Sequence, residues 1–173
     1  MTESRILIFS ANLQAADSIA ELLRRSGKSA QSISLATSSC PAQESLGWPA
    51  DCIVVDVTEG PADGLARLKE IVLRRPDLPV VALVDDGDET RDETMNCRAI
   101  LVGAQVQLGR SALSGDSLCA AISGAAQMKW REQALLKRAF RDQTTGLSSR
   151  LNFMERLETA FERSDRTGLI FGV

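Results

Sequence analysis

The sequence predicts an α/β chain: a doubly wound five-stranded parallel sheet with an extended C-terminal helix and a fragment of a second α/β domain. Three observations point there. Short apolar runs alternate with segments of helical period, giving five β/α units in about 125 residues. Two of those runs, Cys52 to Val55 and Val80 to Val84, are continuously apolar, as strands buried on both faces should be. The 173 residues also exceed a typical domain of about 150, leaving a remainder to be placed.

The elements follow in order. Arg5 to Phe9 is the first strand, and Asn12 can cap a helix running through Arg25. That helix has Ala15, Ile19, Leu22 and Leu23 on one face and Gly27 as its stop. Ser32 to Ala36 alternates, which suits a strand nearer the sheet edge. Thr37 to Pro49, rich in Ser, Pro and Gly, reads as a loop with at most a short helix. The central strand from Cys52 ends at Asp56, and Gly64 to Arg75 then repeats apolar residues at Leu65, Leu68, Ile71 and Val72 before Pro76. The next strand, from Val80, ends at Asp85-Asp86-Gly87; Glu89 to Val102 is helical in length, and Gly103 to Gly109 is a short last strand.

Composition narrows the chemistry. Hydrophobic residues make up 44% and charged residues 25%, ordinary values for a chain with one sizeable core. Histidine is absent, which removes Ser-His-Asp and Cys-His relays, His-ligated zinc and a phosphohistidine donor. There is no tyrosine, and aromatics are 4%, so a base-stacking surface is not expected. A net charge of −3 offers no basic excess for nucleic acid. No apolar run approaches the roughly 18 residues of a membrane span, and the N-terminal run, Ile6 to Phe9, is too short for a signal peptide. Cys40, Cys52, Cys97 and Cys119 are scattered, as small hydrophobes of a reducing cytoplasm would be.

In doubly wound sheets, ligands and chemistry gather at the carboxyl ends of the central strands. Those ends are Ser10-Ala11-Asn12, Asp56, Val84-Asp85 and Gly109-Arg110. Asp56 is followed seven and eight residues later by Asp63-Gly64, and Gly103-Ala-Gln-Val-Gln-Leu-Gly-Arg leads into Gly115-Asp-Ser-Leu. In this order and spacing, residues 4 to 127 resemble response-regulator receiver domains, of CheY-like, flavodoxin-like fold. The resemblance implies that Asp56 is the phospho-acceptor position. It also implies an acidic pair after the first strand, a hydroxyl after the fourth and a Lys after the fifth.

Those positions hold Ser10 and Ala11, Val84, and Arg110 instead. The resemblance therefore implies a degenerate, pseudo-receiver pocket. Mg²⁺ is expected only if the receiver is phosphorylatable, with Asp56 and Thr58 as its candidate ligands. One carboxylate is a poor site for a cation that demands several oxygens. Glu59, Asp85 and Asp86 are the nearby acids that could compensate. The plainer reading of Asp56 is a strand-end acid held by backbone N–H groups or solvent.

From Gly115 the helix shows no stop until about Asp142, a rod of about 40 Å at 1.5 Å per residue. Asp116 or Ser117 can cap its start, and Leu118, Ala121 and Ile122 can pack on the sheet. Met128 and Leu135 lie seven apart among Lys129, Arg131, Lys137, Arg138 and Arg141. Two imperfect heptads leave both a dimer seam and a helix packed on its own chain open. Then Asp142-Gln-Thr-Thr-Gly-Leu-Ser-Ser-Arg-Leu-Asn-Phe resembles the start of a GGDEF (diguanylate cyclase) domain, of form D-x-L-T-G-L-x-N-R-x-x-F. Asp142, Thr145, Gly146, Leu147, Arg150 and Phe153 match, while Thr144 and Ser149 depart. An amphipathic helix, Leu151 to Arg163, and a strand beginning at Leu169 complete the fragment.

The expected organisation is a receiver-like domain (1–127), a connecting helix (128–141, continuing from about 115) and the start of a GGDEF-type domain (142–173). The expected chain is truncated, cytoplasmic and without catalytic residues of its own, the regulatory front end of a larger protein. Its function would be control of a cyclic-di-GMP output by protein–protein contacts or dimer rearrangement. Its partners would be its own output domain, a histidine kinase, or a second copy through the connecting helix. Three other readings stay open: a working phospho-acceptor using Asp56 in a phosphorelay, part of an active diguanylate cyclase whose catalytic portion is missing, and a free-standing partner-binding scaffold.

Overall fold

The computed structural model of the chain describes residues 4–27, 32–37, 47–58, 61–86, 98–140 and 145–167. Five parallel strands form one sheet: β1 (Ile6–Ser10), β2 (Ile33–Thr37), β3 (Cys52–Asp56), β4 (Val80–Val84) and β5 (Val106–Gly109). Their order is β2-β1-β3-β4-β5, which puts the continuously apolar β3 and β4 inside and the alternating β2 at an edge. The helices are α1 (Leu13–Arg25), α2 (Pro61–Arg74), α3 (Gly115–Phe140) and α4 (Arg150–Thr167), with a further helical run over residues 98–102.

Side chains alternate across each strand, so the sheet has two cores. Leu7, Phe9, Ile53, Val55, Val80 and Ala82 pack with Leu68 and Ile71 of α2 and with Ala99. Ile6, Ile8, Cys52, Val54, Val81 and Leu83 pack with Ile19 and Leu23 of α1 and with Leu118, Ala121, Ile122 and Ala125 of α3. Burial on this scale contributes about 1.5–3 kcal/mol for each large aliphatic side chain. Cys52 lies inside the second core, and burial pushes its thiol up to about 12, so it packs as a hydrophobe.

Several boundaries differ from the sequence reading. The α1 helix starts after Asn12, whose Oδ1 accepts from the Ala15 amide at 2.8 Å, as its position predicts. The α2 helix begins at Pro61 rather than Gly64, because Pro is well suited to a first turn and Asp63 favours its dipole. Gly64 consequently lies inside the helix, where an added Cβ would stand 2.9 Å from the Val57 backbone. Only Gly allows that approach. The last strand starts at Val106, not Gly103, since Gly103 has φ +121 and turns the chain into β5.

The start of α3 is capped by Ser114, not by Asp116 or Ser117 as expected. Ser114 Oγ accepts from the Ser117 amide at 3.1 Å, and Ser117 Oγ returns an acceptor to the Ser114 amide at 2.9 Å. Asp116 instead accepts from Ser26 Oγ at 3.5 Å. The chain divides into two compact units, Met1–Lys129 and Trp130–Val173, with the boundary inside α3. In the second unit Ser149 caps α4, accepting from the Asn152 amide at 3.3 Å, after a turn at Gly146 with φ +69. The strand expected from Leu169, the helix expected over residues 89–97, and the acids Glu59 and Asp142 lie outside the described residues.

Candidate functional site

Asp56 ends β3. The parallel register pairs Phe9 with Val55, so the next residues, Ser10 and Asp56, lie side by side at the carboxyl ends of β1 and β3. Each is only 5% exposed. Burying a carboxylate is costly unless hydrogen bonds replace its water, and here three do. Ser10 Oγ donates to Oδ2 at 2.9 Å, the Thr58 amide donates to Oδ1 at 3.1 Å, and Thr58 Oγ1 donates to Oδ1 at 2.6 Å. The two Thr58 bonds form an Asx-type turn that aims the residue after Val57 back at the strand end.

Arg110 reaches the same point from the other side. It opens the short 3-10 turn after β5, and its Nη1 donates to Thr58 Oγ1 at 2.6 Å. The structure thus links Ser10, Asp56, Thr58 and Arg110 in one chain of hydrogen bonds spanning β1, β3 and β5. It does not bring the other two predicted positions into that chain. Ala11 is exposed and carries no polar group, while Val84 is 5% exposed and belongs to the core.

Asp86, one of the acids considered as a compensating group, is engaged elsewhere. Its Oδ1 accepts from the Ser111 amide at 2.9 Å and its Oδ2 from Ser111 Oγ. These bonds, the hydroxyl first, hold its carboxyl below the usual carboxylate value. Gly109 makes room for it, because a Cβ there would strike the Asp86 carboxylate. Asp85 is exposed beside it.

Above Asp56 a half-open cleft of about 590 Å³ is lined by Phe9, Ala11, Asp63, Arg67 and Glu70 as well as Ser10 and Asp56. The Arg67 guanidinium lies 6.0 Å from the centre of the Phe9 ring and 3.4 Å from Glu70. No cluster of three or more His, Cys, Asp or Glu able to hold a metal occurs among the described residues. Nor is any helix among them long and apolar enough to cross a membrane.

No family model matches the chain, and no curated protein sequence matches it. Solved structures do. A receiver domain protein (CheY-like) from Methanospirillum hungatei JF-1 superposes with a TM-score of 0.59 at 14% identity, covering 76% of this chain and 99% of that one. The fold is the receiver fold. NtrX from Brucella abortus, in complex with ADP, matches with a TM-score of 0.62 at 22% identity, over 94% of this chain and 35% of that one. The receiver-fold chain therefore spans about a third of that neighbour's length. The signal receiver domain of a modulated diguanylate cyclase from Desulfovibrio desulfuricans G20 matches with a TM-score of 0.55 at 19% identity, over 76% and 99% of the two chains.

Proposed function

We propose that this chain is a regulatory signalling module, a degenerate receiver that controls a GGDEF-type cyclic-di-GMP output through protein–protein contacts or dimer rearrangement. The observation that carries the degenerate reading is the state of Asp56. Both of its oxygens accept hydroxyl donors, and the position beside it on β1 is Ser10 rather than an acid. A divalent cation needs several anionic or carbonyl oxygens, so a single carboxylate hydrogen-bonded on both sides does not fit Mg²⁺.

Signal transfer would pass through α3. Its first turns bury Leu118, Ala121, Ile122 and Ala125 on the sheet, and the helix then runs on to Phe140. A partner bound on the side formed by β5 and its flanking helices, residues about 97 to 122, would be felt directly at that helix. The diguanylate cyclase reading of the output rests on Thr145, Gly146, Leu147, Arg150 and Phe153 and on the receiver of a cyclase among the structural neighbours. On this reading the chain itself is not an enzyme, and a second copy would associate through the connecting helix.

A second reading, a working phospho-acceptor fed by a histidine kinase, is favoured by the place of Asp56 at the strand end beneath an open cleft. A response regulator protein from Burkholderia pseudomallei, similar in fold to this chain, carries a phosphorylated aspartic acid and a calcium ion. Incubation with acetyl phosphate and Mg²⁺, followed by intact mass measurement, separates the two. The expected outcome is no added phosphate. A phosphate adduct that disappears in Asp56→Asn establishes the second reading instead.

A further inference from the structure

We propose that Arg110, acting through the Thr58 hydroxyl, is the built-in counter-charge of Asp56, and that the four-residue chain is a cation-independent latch across three strand ends. The proposal deepens the degenerate reading of the pocket and rests on it. A carboxylate that is 5% exposed is buried at least cost when an opposite charge stands behind its hydrogen bonds. Ser10 Oγ and the Thr58 amide are neutral. The positive charge in the chain is the guanidinium of Arg110, one hydroxyl away.

The geometry suits a relay. Thr58 Oγ1 accepts from Arg110 Nη1 at 2.6 Å and spends its own proton on Asp56 Oδ1, also at 2.6 Å. A hydroxyl that accepts from a cation becomes a better donor, so each bond strengthens the next. Arg67, the cation lining the cleft, lies over the Phe9 ring and within 3.4 Å of Glu70. Arg110 is also held in place from behind. Its neighbour Ser111 is bonded to Asp86, which fixes the turn that presents the guanidinium.

The latch therefore joins the loop after β3 to the turn after β5, with Ser10 of β1 completing it. It leaves Asp56 satisfied without a bound cation. The turn at residues 110–112 leads into the start of α3, the end of that helix which packs on the sheet.

A thermal-unfolding cycle on the full chain tests the latch. Arg110→Gln should lower Tm by about 2–4 °C and Thr58→Val by about 4–8 °C, the ranges expected for charge-assisted hydrogen bonds in a protein of this size. The double variant should fall no more than about 1 °C below Thr58→Val alone, since Arg110 acts only through that hydroxyl. If Thr58→Val does not fold, Thr58→Ser carries the test: with the hydroxyl kept, Arg110→Gln must cost as much there as in the parent chain. About 10 mM Mg²⁺ should move the parent Tm by less than about 1 °C, because a cation binding the folded state would raise it by mass action. Additive losses in the cycle, an unequal Arg110 cost in the Thr58→Ser background, or a larger Mg²⁺ shift each overturn the latch. An additive cycle leaves the acetyl phosphate result standing, so the two readings fail separately.

Discussion

Two carboxylates stand at the ends of neighbouring strands, and both are held by serine, yet they do different work. Asp56 is buried and draws three hydrogen bonds from β1 and from its own following turn. Asp86, in the segment after β4, is half-buried and draws two from a single residue, Ser111. The fully buried group is a cost that its neighbours must offset, while the half-buried group is a staple for a turn. Strand-end acids in one sheet are therefore not interchangeable, and their surroundings decide which one could carry chemistry.

The contrast can be pressed from either side. The largest effect is expected beside Asp56 itself. Gly64→Val places a branched side chain against the Val57 backbone, 2.9 Å from its Cα even at Cβ, with no flexible group to yield. Equilibrium urea unfolding should show a loss of about 2–3 kcal/mol, typical of overpacking. Next, Ser10→Ala strips one donor from the buried carboxylate and should cost about 1.5–3 kcal/mol in the same measurement. Ser111→Ala, which strips the hydroxyl from the half-buried Asp86, should cost clearly less. Equal losses in the two serine variants would erase the distinction between the sites.

The smallest effect is in pH. The Asp86 carboxyl titrates below its ordinary 3.8 in the folded chain, so its contribution is present above that value and is lost as pH falls through the lower folded value. The stability difference between the parent chain and Asp86→Asn should therefore hold steady near neutral pH and shrink as the solution is acidified below about pH 4. Unfolding curves across that range check it. Arg5 lowers the carboxyl of Asp51 in the same sense at 2.9 Å, so Asp51→Asn provides a second instance of the same slope.

Much of the sheet was legible because its causes are local. Continuous apolar runs marked β3 and β4, alternation marked the edge strand, and Asn12 announced α1 as a cap should. The boundaries that moved were those decided by a neighbour. Gly103 read as the start of β5, but its positive φ makes it a turn. Ser114, Asp116 and Ser117 are equally good capping types in sequence, and only the reciprocal Ser114–Ser117 pair shows which one is outside the helix.

The site was half legible. Asp56 was placed from its strand end and Arg110 from the last strand. Ser10, however, read as a missing acid when it is a donor, a role that depends on the β1–β3 register. Thr58 and Arg110 are 52 residues apart, and no spacing rule joins a turn after β3 to one after β5. Asp86, weighed as a spare acid for the pocket, is bound to Ser111, a pairing set by the close approach that Gly109 allows.

The helix α3 has a consequence of a different kind. It is anchored on the sheet as far as Ala125, whereas Met128, Trp130 and Leu135 are more than half exposed. Past the anchor, each added residue advances the rod by about 1.5 Å and turns its face by about 100°. Length there is also phase. Insertion of one residue after Ala125 would redirect every downstream side chain, while insertion of seven would bring them back to within about 20°.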